Sequence, residues 1–377
     1  MNQPEHGSGN VFPVKIAAVL LTMLLVTLPL AADPIGRIEY FEGDVELVRN
    51  GEIRDAFQIA PGEELLAMDV IQTGFDGYVE VVLTVSGRST IRIRENTAYY
   101  VEVDRRTGGG TETRLRILNG SLEAAVDQLA GNSTFSVATR TAVVGVRGTE
   151  FDVLTTPDES TLAGVRSGSV EVTAGGRQVR AERGTAVEAQ PDRAPQSRTV
   201  PGGNFERYYA AWTETRLQAF RSGAPTFIRA YVRRYRDTEP NFQAAYQELI
   251  RHRDRLREAA AVESPNLGAD MRLRTEVSPA IIRMRSILPL FENTVYRLRE
   301  LHRFHEQGIG RTQIDNESST AFFERFGARE RQLMAQLSEV RAIFRLFQQI
   351  EQRGFGGLPE GLQSPFGGGS PINSMRF

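Results

Sequence analysis

The chain contains no cysteine. Disulfides, thiolate nucleophiles, Cys-ligated zinc and iron–sulfur clusters are therefore excluded, as is lipid attachment at a processed cysteine. Lysine is nearly absent too. Lys15 is the only one in 377 residues, and every other basic side chain is arginine. No Schiff base or lysine general base can operate beyond residue 15. What remains is a cationic surface of planar guanidinium groups, suited to bidentate ion pairs. A charge bias is also missing: the formal net charge is -2, which gives no general pull toward nucleic acid or an anionic membrane. No nucleophile elbow, zincin helix or phosphate loop occurs, and the adjacent Glu63 and Glu64 fall in a predicted turn. The chain reads as non-catalytic, with no cofactor implied.

Long apolar runs are absent with one exception. Residues Ile16–Ala32 carry no charge, follow Lys15, and end in Ala31 and Ala32. A basic start, an apolar middle and a small-residue exit make the layout of a secretory signal, expected to be cleaved after Ala31 or Ala32. If retained, its 17 residues sit at the short end of a bilayer span, and they would be the only membrane contact. The protein is expected outside the cytosol, periplasmic or otherwise envelope-associated in a bacterium.

From Pro34 the pattern turns to period two. Val45 and Leu47 alternate with Asp44 and Glu46, and Asn50-Gly51 follows as a hairpin signal. Further strand-like runs start at Tyr78, Ser89, Thr113, Thr134 and Phe151, punctuated by glycine and asparagine. A short helical turn is predicted around Leu122–Leu129. The expectation for 34–190 is an all-β sandwich or roll, followed by a linker over 191–203 rich in proline and glycine.

Residues 204–353 change period again. Phe205, Tyr209, Trp212 and Phe220 recur at helical spacing, and so do Leu333, Leu337, Val340, Phe344 and Phe347. Breaks are predicted at Gly223-Ala224-Pro225, Glu239-Pro240, Ser264-Pro265-Asn266 and Gly308-Ile309-Gly310, giving four or five helices in a bundle or long hairpin. N-cap chemistry for the last helix lies within Asp315–Ser319. The tail from 354 is rich in glycine and proline and reads as disordered. The fold class is thus multidomain, β then α.

Charge divides between the halves. Residues 33–203 hold 18 Arg against 26 acidic residues, and residues 204–353 hold 25 Arg against 19. The halves can attract each other, or the helices can meet an anionic partner such as a cell-wall polymer or an envelope protein. Arg233, Arg234, Arg236, Arg251, Arg253, Arg255 and Arg257 are the candidate contacts. His302 and His305 share a helix face with Glu306 beside them, but no third ligand is identifiable, so no metal site is assigned. No nucleic-acid motif is present.

One segment is specific. Thr139 to Val153 reads TRTAVVGVRGTEFDV and resembles the signature of the FecR domain family, an apolar strand leading into a V-R-G-T-x-F turn. Leu65–Thr73 resembles the family's L-x-x-G-D-x-I-x-T segment, with Met68 in place of the usual glycine. Val165–Val172 resembles its V-x-x-G-x-V-x-V strand. The resemblance covers roughly 34–190. It implies a fold-determining role for Gly145, Arg147, Gly148, Thr149 and Phe151. Gly145 and Gly148 are expected where a Cβ would clash. Val143, Val144 and Val146 are expected in the core, and Arg147 is expected to reach carboxylates or carbonyls. In the family's regulators a cytosolic segment that acts on a sigma factor precedes the membrane helix. Here about 15 residues precede the apolar run. The expectation is therefore an exported binding or scaffolding module. The alternative is an envelope sensor that relays a signal to a membrane partner.

Overall fold

The computed structural model describes residues 33–106, 109–191, 193–262 and 266–355. The segment read as an export signal and the tail beyond residue 355 lie outside the described residues.

Among the described residues, eighteen strands come first. In chain order they are β1 (Gly36–Glu42), β2 (Val45–Arg49), β3 (Glu52–Asp55), β4 (Glu64–Leu65), β5 (Val70–Thr73), β6 (Tyr78–Leu83), β7 (Ser89–Ile93), β8 (Ala98–Arg105) and β9 (Thr111–Asn119). The second nine are β10 (Ser121–Val126), β11 (Thr134–Ala138), β12 (Val143–Val146), β13 (Thr149–Thr155), β14 (Thr161–Ser167), β15 (Ser169–Ala174), β16 (Arg177–Glu182), β17 (Thr185–Ala189) and β18 (Gln196–Thr199). They form two nine-stranded sheets. The first has the order β18-β17-β14-β13-β10-β7-β6-β1-β4 and the second β16-β15-β12-β11-β9-β8-β5-β2-β3. Pairing is antiparallel except between β9 and β11. The sheets bury Ile38, Leu47, Val81, Ile91, Leu115, Val137, Phe151 and Val172 between them, the sandwich arrangement in which alternate side chains of each sheet build a shared core.

Two local readings need correction. Residues 122–129 hold no helical turn, because Ser121–Val126 is strand β10, between β7 and β13. Leu122, Ala124 and Val126 are buried while Glu123 and Ala125 are not, and period two fits a sheet interior on one face. The stretch 191–203 is only partly a connector: its residues 196–199 pair with β17 as an edge strand.

Among the described residues four helices follow, α1 (Phe205–Ile250), α2 (Arg253–Ala261), α3 (Leu267–Glu306) and α4 (Ser319–Phe355), with a small hairpin of β19 (Gln313–Ile314) and β20 (Glu317–Ser318) before the last. The breaks predicted at Pro225 and Pro240 do not occur, since both prolines lie inside α1. A proline inside a helix costs about 3 kcal/mol. Burial on each side of the first one, from Phe220, Ala224, Ile228, Tyr231 and Val232, outweighs it at about 1.5–3 kcal/mol for each large side chain. The breaks at Asn266 and Gly308 are real. The Asn266 carboxamide accepts the Ala269 N–H at 3.1 Å as an N-cap, and Gly308 and Gly310 take positive φ. Ser318 caps α4 through the Ala321 N–H at 3.2 Å.

The helices pack on the sandwich. Val48, Val70, Ala98, Tyr100 and Leu118, on the outer face of the second sheet, belong to the same apolar cluster as Phe242, Phe291, Leu337 and Phe344. A smaller cluster joins Leu162 and Ala186 of the first sheet to Phe205, Tyr209 and Trp212 at the start of α1.

Candidate functional site

The signature carries the chain from one sheet to the other: β12 lies in the second sheet and β13 in the first. Gly148 makes the turn at φ 65°, a conformation that side chains other than glycine adopt at a cost. Sterics play no part there, because nothing lies within 4 Å of an added Cβ. Gly145 is different again. It sits in a strand, has no positive φ, and the nearest atom to an added Cβ is the Glu171 carbonyl oxygen at 3.8 Å. Neither glycine therefore avoids a clash. Val144 and Val146 enter the core, but Val143 is 39% exposed, as period two requires of the residue before Val144. Thr149 is buried and donates to the Ser169 carbonyl at 3.0 Å. Phe151 is fully buried. Arg147 is exposed and makes no ion pair or hydrogen bond among the described residues.

Next to Phe151, Asp152 points to the outer face of the first sheet and is buried there. Arg166 donates to it at 2.7 and 3.3 Å, and the Tyr209 hydroxyl of α1 donates at 2.8 Å. Arg166 also donates to Glu206 at 2.8 Å and lies over the Phe205 ring. Gly164 makes room for this: a Cβ there would stand 1.9 Å from the Tyr209 oxygen. Burial raises the Asp152 carboxyl above its ordinary range, although Arg166 and Tyr209 pull it back. The Arg166 hydrogen bond holds Glu206 below its ordinary range. The first turn of α1 is thereby latched to the strand that follows the signature turn.

A second seam runs under α3 and α4. Glu292 and Arg341 are in direct ionic contact, with only 3% and 1% of their surfaces exposed. The Tyr100 hydroxyl of β8 donates to Glu292 at 3.1 Å, and its ring lies 4.8 Å from the Arg341 guanidinium carbon. Burial lowers the Arg341 pKa to about 10, so it stays charged at neutral pH. Nearby, Asp69 accepts from Arg49 at 2.6 and 2.9 Å, from the Leu66 N–H at 2.9 Å, and from Arg345 of α4 at 3.3 Å. Arg345 also donates to the Ala67 carbonyl at 2.6 Å. Arg297 of α3 donates to the Thr156 carbonyl at 3.1 Å. The bonds of Tyr100, Arg345 and Arg297 join the helices to the sandwich.

The seven arginines named from the sequence do not converge. Arg233 and Arg236 pair with Asp315, and Arg236 also with Glu317. Arg234 lies 3.9 Å from Glu159 of the sandwich and over the Tyr231 ring. Arg253 pairs with Asp254 and Glu339, Arg255 with Glu276, and Arg257 with Asp254 at 3.8 Å. Arg251 is exposed, with no ion pair among the described residues. His305 is buried, hydrogen-bonded to the Ser319 hydroxyl at 2.9 Å, and held below its ordinary pKa first by burial. His302 stacks on Phe323 at 5.1 Å between centroids. Among the described residues no group of three His, Asp or Glu could hold a metal ion, and no helix is long and apolar enough to cross a membrane.

Residues missed from sequence are those of the seams: Asp152, Arg166, Glu206 and Tyr209, and then Tyr100, Glu292 and Arg341. The helical pair left a trace. Glu292 falls between Phe291 and Val295, and Arg341 between Leu337 and Phe344, so both charges sit on an apolar stripe.

Residues 69–171 match the family model described as FecR protein. Two crystal structures of a proposed anti-sigma factor from Parabacteroides distasonis are similar over part of the chain. One is 19% identical and covers 37% of this chain and 64% of its own, with a TM-score of 0.32. The other is 20% identical and covers 34% and 59%, with a TM-score of 0.30. The chain therefore spans less than two thirds of those relatives. No curated protein matches.

Proposed function

We propose that this protein, whose residues 69–171 match the FecR family model, is a non-catalytic binding module of the bacterial cell envelope, with the sandwich fastened to its own helices as one working unit. The observation that carries this is the seam. The FecR region spends its polar outer-face residues, Asp69, Tyr100 and Asp152, on contacts to α1, α3 and α4. Export through residues 16–32 is part of the proposal.

A signal-relay role is the second reading, favoured by the chemistry of the same seam. A buried ion pair is often no more stabilising than apolar packing of equal volume. An interface that keeps Glu292 and Arg341 is better suited to switching between two arrangements than to maximum stability. A relay also agrees with the FecR family match.

Cell fractionation with N-terminal sequencing tests the placement: a mature protein starting near Asp33 in the periplasmic or envelope fraction is expected, and recovery of the intact chain from the cytosol overturns it. Co-sedimentation with isolated peptidoglycan, at low and high salt, tests an anionic polymer as the bound partner. Salt-sensitive retention is expected, and no retention at low salt removes the polymer.

A further inference from the structure

Two exposed apolar patches of opposite charge lie near opposite ends of α3. The first is a tip of the sandwich, where the β1–β2, β3–β4 and β5–β6 turns meet. Phe57 is 100% exposed and Phe75 is 80% exposed. Tyr40 is exposed as well, with its ring 6.1 Å from that of Tyr78. The turns are tied together, since the Gly74 N–H donates to the Asp44 carbonyl at 2.8 Å and the Asp44 N–H to the Asp76 carboxylate at 3.1 Å. The register of β3 sets Asp55 opposite Glu46, which brings the Phe57 turn to this same end. Glu42, Asp44, Asp55 and Asp76 are exposed here and enter no ion pair among the described residues.

The second patch is a stripe on α3. Leu267, Met271, Ile282 and Leu290 are all exposed, and their spacings of four, eleven and eight place them along one side of the helix. At its start is an open groove of about 540 Å³, lined by Gly268, Met271, Arg272, Thr275 and Glu276. Arg272 is exposed with no ion pair among the described residues, and so is Arg251. Arg255 of α2 and Arg283 of α3 are paired with Glu276 and Glu248, so Arg272 and Arg251 supply the uncompensated positive charge of this patch.

The other end of α3 lies beside the aromatic tip. Arg299 pairs with Glu46 at 3.6 Å, and Arg303 donates to Asn96, whose own N–H bonds the Gly74 carbonyl. At 1.5 Å per residue, Leu267 and Arg303 are roughly 54 Å apart along the helix. One molecule thus carries an acidic aromatic knob near one end and a basic apolar groove near the other.

We propose that the tip of one copy docks on the α3 stripe of the next, so that the protein associates head to tail. Unpaired carboxylates then meet unpaired guanidinium groups around an apolar centre, the arrangement of a specific interface. Each copy keeps one free tip and one free stripe, so the contact is heterologous and adds copies in a row instead of closing a two-fold dimer.

Sedimentation velocity of the protein purified as the cell processes it, over a concentration series at low and high salt, reads the association. The sedimenting mass is expected to rise past dimer with concentration at low salt, and to fall back toward monomer at high salt. A tip variant, Phe57→Ser with Phe75→Ser, and a stripe variant, Met271→Ser with Ile282→Ser, are each expected to lose all species above monomer. Unchanged melting temperatures would show that both fold. An equimolar mixture of the two variants holds one intact tip and one intact stripe per pair, and is expected to regain the dimer and stop there. The proposal is overturned by a wild-type protein that stays monomeric throughout the series, by variants that assemble as far as wild type, or by a mixture that stays monomeric. It is equally overturned if the wild-type protein stays monomeric but binds phosphatidylcholine vesicles through Phe57 and Phe75, which makes the tip a lipid contact.

Discussion

Gly145 and Gly148 stand three residues apart in one motif and have different requirements. Gly148 needs the left-handed region, so Gly148→Ala should destabilise by about 1–2 kcal/mol. Gly145 has ordinary strand backbone and open space, so Gly145→Ala should be neutral or stabilise by up to about 1 kcal/mol through the unfolded chain. Denaturant midpoints of the two variants check this, and equal losses would show that the difference in backbone geometry does not matter. Met68 makes the same point from the other side. It takes φ 69° at the place where the FecR pattern has glycine. Its side chain packs against the helical core, which offsets the backbone cost. A glycine there would relax the turn and leave a gap under the helices.

Among the elements, the first turn of α1 is held in part by the ionised carboxylate of Glu206. Glu206 has its pKa lowered by Arg166, so its contribution to stability is present above the ordinary glutamate value, about 4.3, and is lost as pH falls through the lower folded-state value. Acid should loosen the latch on this limb. Melting curves from neutral pH down to pH 3 should show a weaker dependence in Glu206→Gln than in wild type, and parallel curves would remove Glu206 from the account. Much at this scale was legible in the sequence. The alternation in β2 and the Asn50-Gly51 turn gave a hairpin, and the FecR-like segments gave the sandwich. Other features had only an ambiguous local signal. Ser121–Val126 alternates too, but its alanines favour helix, and its neighbours in the sheet decided. Pro225 and Pro240 are local breakers overridden by burial. The run Ala98-Tyr99-Tyr100-Val101 is apolar without alternation, as expected of a strand covered on both faces. That was the available sign that something packs behind the second sheet. The latch had no such sign, because Asp152 between Phe151 and Val153 looks like any solvent-facing residue on an alternating strand.

At the level of the whole molecule, the charge division between the halves is spent largely inside it. Arg345 reaches Asp69, Arg299 reaches Glu46, and Arg216 lies near Asp158 and Glu188. The most demanding ion pair lies inside the helical half, between Glu292 of α3 and Arg341 of α4. Arg341→Met alone leaves a carboxylate buried without its cation and should cost about 3–5 kcal/mol. Combining it with Glu292→Gln keeps an acceptor for the Tyr100 hydroxyl while removing the charge, and should recover most of the loss. Equilibrium denaturation of the single and double variants measures this, and an additive double variant would mean that the two groups do not act as a pair. The shared cluster that includes Val48, Val70, Tyr100 and Leu118 has one more consequence. Cut free at residue 190, the β portion would turn these side chains toward water as a bare greasy wall. Such a fragment should clump or unravel unless the helices are supplied in trans, so the place where one sequence pattern gives way to the other does not mark where the protein can be divided.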